Sequence, residues 1–178
     1  MNHSEHRIHR VHRIALISTG GTIEKTYDEL EGVLSNEVSV LEVMLSQLRL
    51  DGIDIERVRL MNKDSLEMTP EDHDLIATTA LAKASEFDGV IIVHGTDRLA
   101  ETGQRIYELN PNPPVAVVLT GAMRPYVMRT SDALQNLTEA LLAVQLAEPG
   151  VYVAMHNKLL SFPGVRKDKQ SGTFVRRR

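Results

Sequence analysis

The stretch that decides the fold is Ile-Ala-Leu-Ile-Ser-Thr-Gly-Gly-Thr-Ile, residues 14–23. Four apolar residues run directly into hydroxyl side chains and paired glycines, the pattern of a buried strand that leaves a parallel sheet. Gly20 and Gly21 allow a sharp turn and the close approach of another molecule. Ligands of open α/β sheets bind at the carboxyl ends of strands, so Thr22 lies where a nucleophile or a ligand donor would be placed. From this stretch alone, a plain glycine turn with capping hydroxyls is an equal alternative, whereas the spacing of a phosphate-binding loop is not met.

The bulk properties limit the classes of function. A chain of 178 residues with 42% hydrophobic residues fits one domain with a substantial core. The net charge of −4 gives no broad basic field for nucleic acid, and no apolar run reaches the length of a membrane span. The absence of cysteine excludes disulfides and cysteine catalysis. Since the N-terminus has no apolar signal core, we expect a cytoplasmic protein.

Residues 1–12 are polar, and we predict a disordered, solvated tail there, followed by the domain at 13–175. The tail contains four histidines at a spacing of three, His3, His6, His9 and His12. That spacing would gather them on a helix as metal ligands, but a solvated tail is the simpler interpretation. The three arginines at 176–178 are likewise interpreted as a solvated end.

Strand and helix patterns alternate along the rest of the chain. Ser39 and Glu42 form a capping-box pattern, and Thr69 followed by Pro70 is a strong helix start. Beyond the first strand, the patterns predict strands at 57–61, 89–93, 115–119 and 151–155. They predict helices at 40–50, 70–86, 97–109 and 131–147. Residues 24–37 are predicted to form a loop long enough to be a lid. This alternation predicts an α/β fold, a single three-layer domain with a mostly parallel sheet covered by helices on both faces.

Three of the predicted strands end in the same kind of residues. The segments 19–22, 94–97 and 120–124 each combine glycine with hydroxyl or charged side chains. Because the carboxyl ends of parallel strands share one edge, we expect these segments to converge on one pocket. The chemistry they suggest is nucleophilic, with Thr22 and Thr96 as candidate nucleophiles.

A threonine hydroxyl needs a base to take its proton. Asp97 is a candidate orienting group or substrate anchor. His94 is a candidate base, although a histidine directly after a buried strand is more often a packed, hydrogen-bonded core group. Lys167 or Lys169 would also serve if desolvated, because burial lowers the pKa of a lysine.

Several motifs together resemble one known family, the bacterial-type L-asparaginases. The matching motifs are Thr19–Ile23, His94–Asp97, Gly121–Pro125 and the run from Ser131 and Asp132 to Asn136 and Leu137. The resemblance covers about residues 13–175 and corresponds to the larger, N-terminal domain of that family, with no C-terminal domain. Asn62–Leu66 and Met123–Tyr126 resemble the short-chain members of the Rhodospirillum type.

The resemblance implies a catalytic set. Thr22 would be the primary nucleophile that attacks the side-chain amide carbon. Thr96, Asp97 and Lys167 would form a supporting triad, in which Lys167 draws a proton from Thr96 or from water. Tyr27, in the predicted lid, would help to activate Thr22. Lys167 is placed only by a short anchor, so Lys169 is the fallback.

The resemblance also implies a substrate, L-asparagine, which would be hydrolysed to aspartate and ammonia without a metal or an organic cofactor. Asp97 would bind the α-amino group, Ser65 the α-carboxylate, and the Ala122 carbonyl would face the leaving nitrogen. Gly21 and Gly95 complete the expected substrate-binding set. Relatives assemble, so we expect a homo-oligomer, either a dimer or a tetramer.

Three departures from the family pattern stand out. Leu66 replaces the glutamine that usually follows the substrate-binding serine, and Arg98 replaces a threonine. We also expect that the C-terminal domain, which in long relatives contacts a neighbouring site, is absent. Two alternatives to asparagine hydrolysis therefore stay open. One is an amidase that acts on another amide such as glutamine, and the other is a non-catalytic amino-acid-binding domain or assembly subunit.

Overall fold

The first strand of the chain, β1 (His12–Gly20), contains most of the stretch from which the fold was predicted. The computed structural model describes residues 11–35 and 40–176. In β1, Ile14 and Leu16 pack into one apolar cluster, and Ala15 and Ile17 pack into another on the opposite face of the sheet. Because successive side chains of a strand point to opposite faces, a run that is apolar at every position must be covered on both sides.

The main sheet has six strands in the order β4-β1-β5-β6-β7-β8. The first five of these run parallel, and β8 pairs antiparallel with β7. The remaining strands of this sheet are β4 (Ile53–Lys63), β5 (Gly89–Val93), β6 (Ala116–Thr120), β7 (Gly150–Met155) and β8 (Lys158–Ser161). The mostly parallel sheet is therefore as predicted.

Helices cover both faces of this sheet. α1 (Leu41–Ser46) and α4 (Ala133–Leu146) pack on one face, and α2 (Pro70–Ala84) and α3 (Leu99–Leu109) pack on the other. α2 begins as expected, because Thr69 and Asp72 form a reciprocal capping box around Pro70. The three-layer α/β architecture predicted from the sequence is confirmed.

The predicted lid at 24–37 is not a continuous loop. A 3-10 turn (Thr22–Glu24) is followed by a small antiparallel hairpin, β2 (Thr26–Asp28) and β3 (Val33–Ser35). The Oδ1 atom of Asp28 accepts hydrogen bonds from the amides of Leu30 and Glu31 and so shapes the turn. Strands of three residues are too short to produce a recognisable alternation, which is why the sequence pattern missed them.

Other boundaries also differ from the prediction. α1 ends at Ser46 instead of residue 50, and β4 extends well beyond the predicted 57–61. β4 is an edge strand with a partly polar surface, so its apolar pattern is weak outside that centre. The strands after β7 were not predicted at all: β8 returns along β7, and β9 (Val165–Asp168) and β10 (Thr173–Arg176) form a separate hairpin.

Some predictions fall on residues outside the described part of the chain. These are His3, His6 and His9 of the tail, Ser39 of the proposed capping box, and the last two arginines. His12, assigned to the tail, is the first residue of β1. None of the helices in the described ranges combines the length and apolarity needed to cross a membrane.

Candidate active site

The three strand ends singled out in the sequence meet at one edge of the sheet. A Cβ atom placed on Gly21 would lie 2.4 Å from the Cα of Gly95, so the segments after β1 and β5 touch backbone to backbone. A Cβ atom on Gly121 would lie 2.3 Å from the carbonyl oxygen of His94, which brings the segment after β6 against the same place. Distances this short leave no room for a side chain, so glycine is required for this convergence.

Lys167 reaches this edge from the β9–β10 hairpin. Its Nζ atom donates hydrogen bonds to Oγ1 of Thr96 at 2.8 Å and to Oδ1 of Asp97 at 2.9 Å. Thr96 is buried and the Lys167 side chain is only 16% exposed. The fallback, Lys169, lies exposed in the turn of the hairpin. The structure therefore brings Lys167, Thr96 and Asp97 together and leaves Lys169 outside this contact.

Thr22 follows the two glycines directly and begins the 3-10 turn after β1. Gly20 and Gly21 have φ angles of 94° and 84°, which side chains rarely adopt. Thr22 itself is half-buried and lies next to the Gly21–Gly95 contact. The backbone at Thr22 is thus adjacent to the contact between Gly21 and the segment that carries Thr96.

Ser65 lies on the other side of Gly95. It is buried at the start of a 3-10 turn (Ser65–Glu67), and its Oγ would be 2.6 Å from a Cβ on Gly95. The preceding carboxylate of Asp64 accepts a 2.8 Å hydrogen bond from Nζ of Lys25, which ties this turn to the segment after Thr22. That hydrogen bond is the main reason why the pKa of Asp64 lies below its usual value.

Ala122 is fully buried at the end of β6, and Asp132 holds the loop that follows it. The two carboxylate oxygens of Asp132 accept hydrogen bonds from the backbone amides of Met123 and Arg124, each at 3.0 Å. The same carboxylate accepts a 2.7 Å hydrogen bond from Nε2 of His156. Burial of Asp132 raises its pKa, but these hydrogen bonds outweigh burial and keep the pKa below its usual value.

His94 is a buried structural group and not a base facing the pocket. Its Nδ1–H donates to the carbonyl oxygen of Gly95 at 2.8 Å, and Nε2 is 2.8 Å from Oγ1 of Thr102. Oγ1 of Thr102 is in turn 2.6 Å from Nδ1 of His73. Burial lowers the pKa of His94 to about 4, so the ring is neutral near pH 7.

The directions of these hydrogen bonds follow from that neutral state. A carbonyl can only accept, so Nδ1 of His94 carries the proton and Nε2 accepts from the Thr102 hydroxyl. The Thr102 oxygen then accepts from Nδ1–H of His73. Burial also lowers the pKa of His73, although the nearby Glu101 opposes this effect. This series of hydrogen bonds, which passes through two neutral imidazoles, therefore fixes the orientation of Gly95.

Two further predicted positions are less enclosed. Tyr27 lies on β2 with 63% of its surface exposed, and no hydrogen bond from its side chain to another described residue is present. Leu66 is 60% exposed directly after Ser65, so its side chain is not part of the core. Arg98 donates to the carbonyl oxygen of Met68 at 2.7 Å and so links the Ser65 turn to the segment after β5.

Sequence patterns missed His156 and Thr173, which lie behind the loop after Ala122. Both belong to the part of the chain in which no strand was predicted, and nothing in the spacing distinguishes them. As for metal ligands, no group of three or more histidine, aspartate or glutamate side chains within residues 11–35 and 40–176 is arranged to hold an ion.

Comparison with known proteins identifies the family of the chain. Residues 13–174 match the family described as Asparaginase, N-terminal. The chain is 36% identical over 145 residues to an L-asparaginase of Thermococcus kodakarensis, covering 82% of this chain and 44% of that protein. It is 35% identical over 145 residues to a glutamyl-tRNA(Gln) amidotransferase subunit of Haloquadratum walsbyi, covering 80% of this chain and 32% of that protein.

Solved structures give the same result. The thermostable L-asparaginase from Thermococcus kodakarensis superposes with a TM-score of 0.83 at 34% identity, over 92% of this chain and 51% of that one. A probable cytoplasmic L-asparaginase from Campylobacter jejuni superposes with a TM-score of 0.74 at 33% identity, over 93% and 51%. The chain thus spans about half or less of the length of these relatives. The family match and the shared fold together establish that the chain belongs to the asparaginase N-terminal domain family.

Proposed function

We propose that the chain hydrolyses the side-chain amide of L-asparagine to give L-aspartate and ammonia. The observation that carries the proposal is the pair of hydrogen bonds from Lys167 to Thr96 and Asp97, 2.8 and 2.9 Å long, at the edge where Gly21, the residue before Thr22, meets Gly95. A hydroxyl, a lysine and a carboxylate in contact are the groups that nucleophilic amide hydrolysis needs. Relatives named L-asparaginases at about a third identity support the choice of substrate.

In the proposed reaction, Oγ1 of Thr22 attacks the side-chain carbonyl carbon of asparagine. The C–N bond breaks as the Oγ1–C bond forms, and the proton lost by Thr22 is passed to the amide nitrogen, which leaves as ammonia. Water then attacks the acyl-threonine ester, which releases aspartate and returns the hydroxyl. In these steps Lys167 accepts a proton from Thr96 or from water, and for the transfer from Thr96 the hydroxyl donates to Nζ. Tyr27 assists Thr22 from the β2–β3 hairpin.

The remaining proposed contacts orient the substrate. Asp97 would pair with the α-amino group and the Ser65 hydroxyl would donate to the α-carboxylate. The carbonyl of Ala122 would accept from the leaving nitrogen. Gly21 and Gly95 bring the two hydroxyl-bearing segments close enough to contact one small substrate.

A second candidate is an amidase for another amide, such as glutamine. The observation that favours it is the similarity to glutamyl-tRNA(Gln) amidotransferase subunits, whose sequence identity to this chain is nearly as high as that of the L-asparaginases. The exposed Leu66 beside Ser65 also changes the edge of the pocket relative to the usual family pattern. Both candidates use the same nucleophile and differ in the length of the side chain they accept.

Ammonia release from asparagine and from glutamine, measured side by side, tests both candidates. Faster release from asparagine supports the first proposal, and faster release from glutamine supports the second. A thermal shift with aspartate, combined with no ammonia from either amide, would instead indicate a binding domain without catalysis. Because a structural relative is named a probable cytoplasmic L-asparaginase, we also propose that this activity is cytoplasmic.

A further inference from the structure

We propose that His156 is a positioning residue that holds the two walls of the candidate site in register. One wall is the loop after β6, residues 121–124, and the other is the β9–β10 hairpin that carries Lys167. The role rests on the proposed amide hydrolysis, since its main effect is on that reaction. His156 itself touches neither the hydroxyl nor the lysine of the catalytic set.

His156 reaches the loop through Asp132. Its Nε2–H donates to Oδ2 of Asp132 at 2.7 Å, and that carboxylate accepts the amides of Met123 and Arg124. The backbone amide of His156 donates to Oδ1 of Asn136 at 3.1 Å, and Nδ2 of Asn136 donates to the carbonyl oxygen of Gly121 at 2.9 Å. Ring and backbone of one residue therefore hold both ends of the loop.

The other ring nitrogen faces the hairpin. Nδ1 of His156 is 3.2 Å from Oγ1 of Thr173, the buried first residue of β10. In the antiparallel register, Thr173 lies opposite Asp168 and Phe174 lies opposite Lys167. A displacement of Thr173 therefore displaces the strand that supports Lys167. Since Nε2–H donates to Asp132, Nδ1 is the nitrogen left to accept from the Thr173 hydroxyl.

The backbone at His156 is unfavourable for its side chain. His156 and Asn157 form the turn between β7 and β8 with φ angles of 53° and 58°. Two-residue turns of this kind favour asparagine and glycine, so histidine is an unexpected choice at the first position. Strained backbone is retained where the surrounding structure requires it, and here the side chain makes two contacts that glycine would lose.

The matched pair of variants is His156→Gly and Asn157→Gly. Both relieve the same kind of backbone conformation in the same turn, but only the first removes the bridge. A shift of about 1 Å in a catalytic group can reduce a rate by about 10²-fold. We expect kcat for ammonia release to fall by about 10- to 100-fold in His156→Gly with a small change in KM, and to stay near the normal value in Asn157→Gly.

Exogenous imidazole separates positioning from folding. A cleft of about 360 Å³ next to the ring, lined by Met123, Arg124, Asp132, His156, Ser171 and Gly172, gives a small molecule access. Imidazole should restore part of the rate of His156→Gly and leave Asn157→Gly unchanged. Unchanged kcat in His156→Gly, or a loss matched by Asn157→Gly, would overturn the proposal.

The hairpin contact is tested with Thr173→Val and Thr173→Ser. Valine removes the hydroxyl and keeps the volume, so kcat should fall, whereas serine should recover much of it. Thr173→Val added to His156→Gly should cause little further loss, because both break one bridge. Fully additive losses would show that His156 and Thr173 act separately and would overturn the role assigned to His156.

One readout does not depend on turnover. The ¹⁵N resonance of Lys167 Nζ is observed in lysine-labelled protein and assigned by its loss in Lys167→Met. Its chemical shift should change in His156→Gly and stay the same in Asn157→Gly. If the unmodified protein releases no ammonia from either amide, the proposed hydrolysis fails, and this resonance alone decides the role of His156. An unmoved resonance in His156→Gly would overturn it.

Discussion

The Nζ atom of Lys167 donates a 2.8 Å hydrogen bond to Oγ1 of Thr96, although 71 positions of sequence separate the two residues. The contact joins the end of a central strand to a hairpin that no sequence pattern predicted. Lys167 is largely enclosed there, and Asp97 accepts its second hydrogen bond. The proposed proton transfer therefore depends on one lysine held between a hydroxyl and a carboxylate.

Lys167→Met should reduce ammonia release by orders of magnitude, since a positioned base typically contributes about 10²–10⁴-fold. Methionine keeps the length of the side chain and removes the amino group. Lys169→Met, two residues further along in the exposed turn, is the matched control and should have little effect. Equal losses in the two variants, measured as kcat for asparagine, would contradict the assignment of Lys167.

Thr22→Ala should abolish turnover and keep the fold. Thr22 is half-buried after a glycine turn, so the substitution removes the hydroxyl without opening a large cavity. Circular dichroism and the melting temperature should therefore be close to normal. Ammonia release at a rate near that of the unmodified protein would show that Thr22 is not the nucleophile, and Thr96 would be the next candidate.

Leu66→Gln should lower KM and leave kcat similar, the result expected when a contact binds substrate and transition state equally. A hydrogen bond to the charged amino group of the substrate is worth roughly 1.5–3 kcal/mol, or about 10–150-fold in affinity. Leu66 is already 60% exposed, so the polar side chain costs little stability. An unchanged KM for asparagine would mean that position 66 does not contact substrate.

Acid should destabilise the fold through His94. Burial lowers the pKa of His94 to about 4 from its ordinary 6.5, so the unfolded chain binds a proton in this range that the folded protein does not. The contribution of His94 to the free energy of unfolding is thus fully present above about pH 6.5. It is lost as the pH falls towards 4, at about 1.4 kcal/mol per pH unit. Urea unfolding at pH 7, 6 and 5 measures this decrease in the free energy of unfolding.

The control for the acid effect is His94→Gln, which has no ionisable group at this position. Its unfolding free energy should be lower at pH 7 but should fall less steeply between about pH 6.5 and pH 5. The pKa of His73 is also lowered by burial, so part of the slope will persist in the variant. Identical slopes in the two proteins would show that His94 does not titrate in this way.

The active species should be at least a dimer. Leu142, Leu146 and Leu159 are exposed on α4 and β8, and apolar surface of this kind is commonly covered by association. Light scattering at micromolar concentration should give a mass of two or more chains. An active species near the 19.9 kDa of one chain would contradict this prediction.

Sequence patterns predicted the parts of the fold where burial is uniform. The strand that starts with Ile14–Ile17 and the strand Gly89–Val93 are apolar on both faces, so their assignment required little context. The segments after them could be placed on one edge by the topology of a parallel sheet alone. The contact between Gly21 and Gly95 shows that this inference was correct.

The parts that could not be predicted depend on tertiary contacts. The β2–β3 and β9–β10 hairpins consist of three- and four-residue strands, and such lengths carry no clear period. The position of Lys167 in the sequence was inferred from the family resemblance, but its enclosure depends on the β9–β10 hairpin. His156 gave no signal because its partners, Asp132 and Thr173, lie 24 and 17 positions away.

The direct backbone contact between Gly21 and Gly95 also limits how this protein can be altered. A mutational library that includes position 21 or 95 would return mostly unfolded or misassembled variants, because a single methyl group at either position meets main-chain or Ser65 atoms within 2.7 Å. Selection for a different amide must therefore act on neighbours that leave these two glycines untouched. Leu66, exposed beside Ser65, is the position from which such an experiment would start.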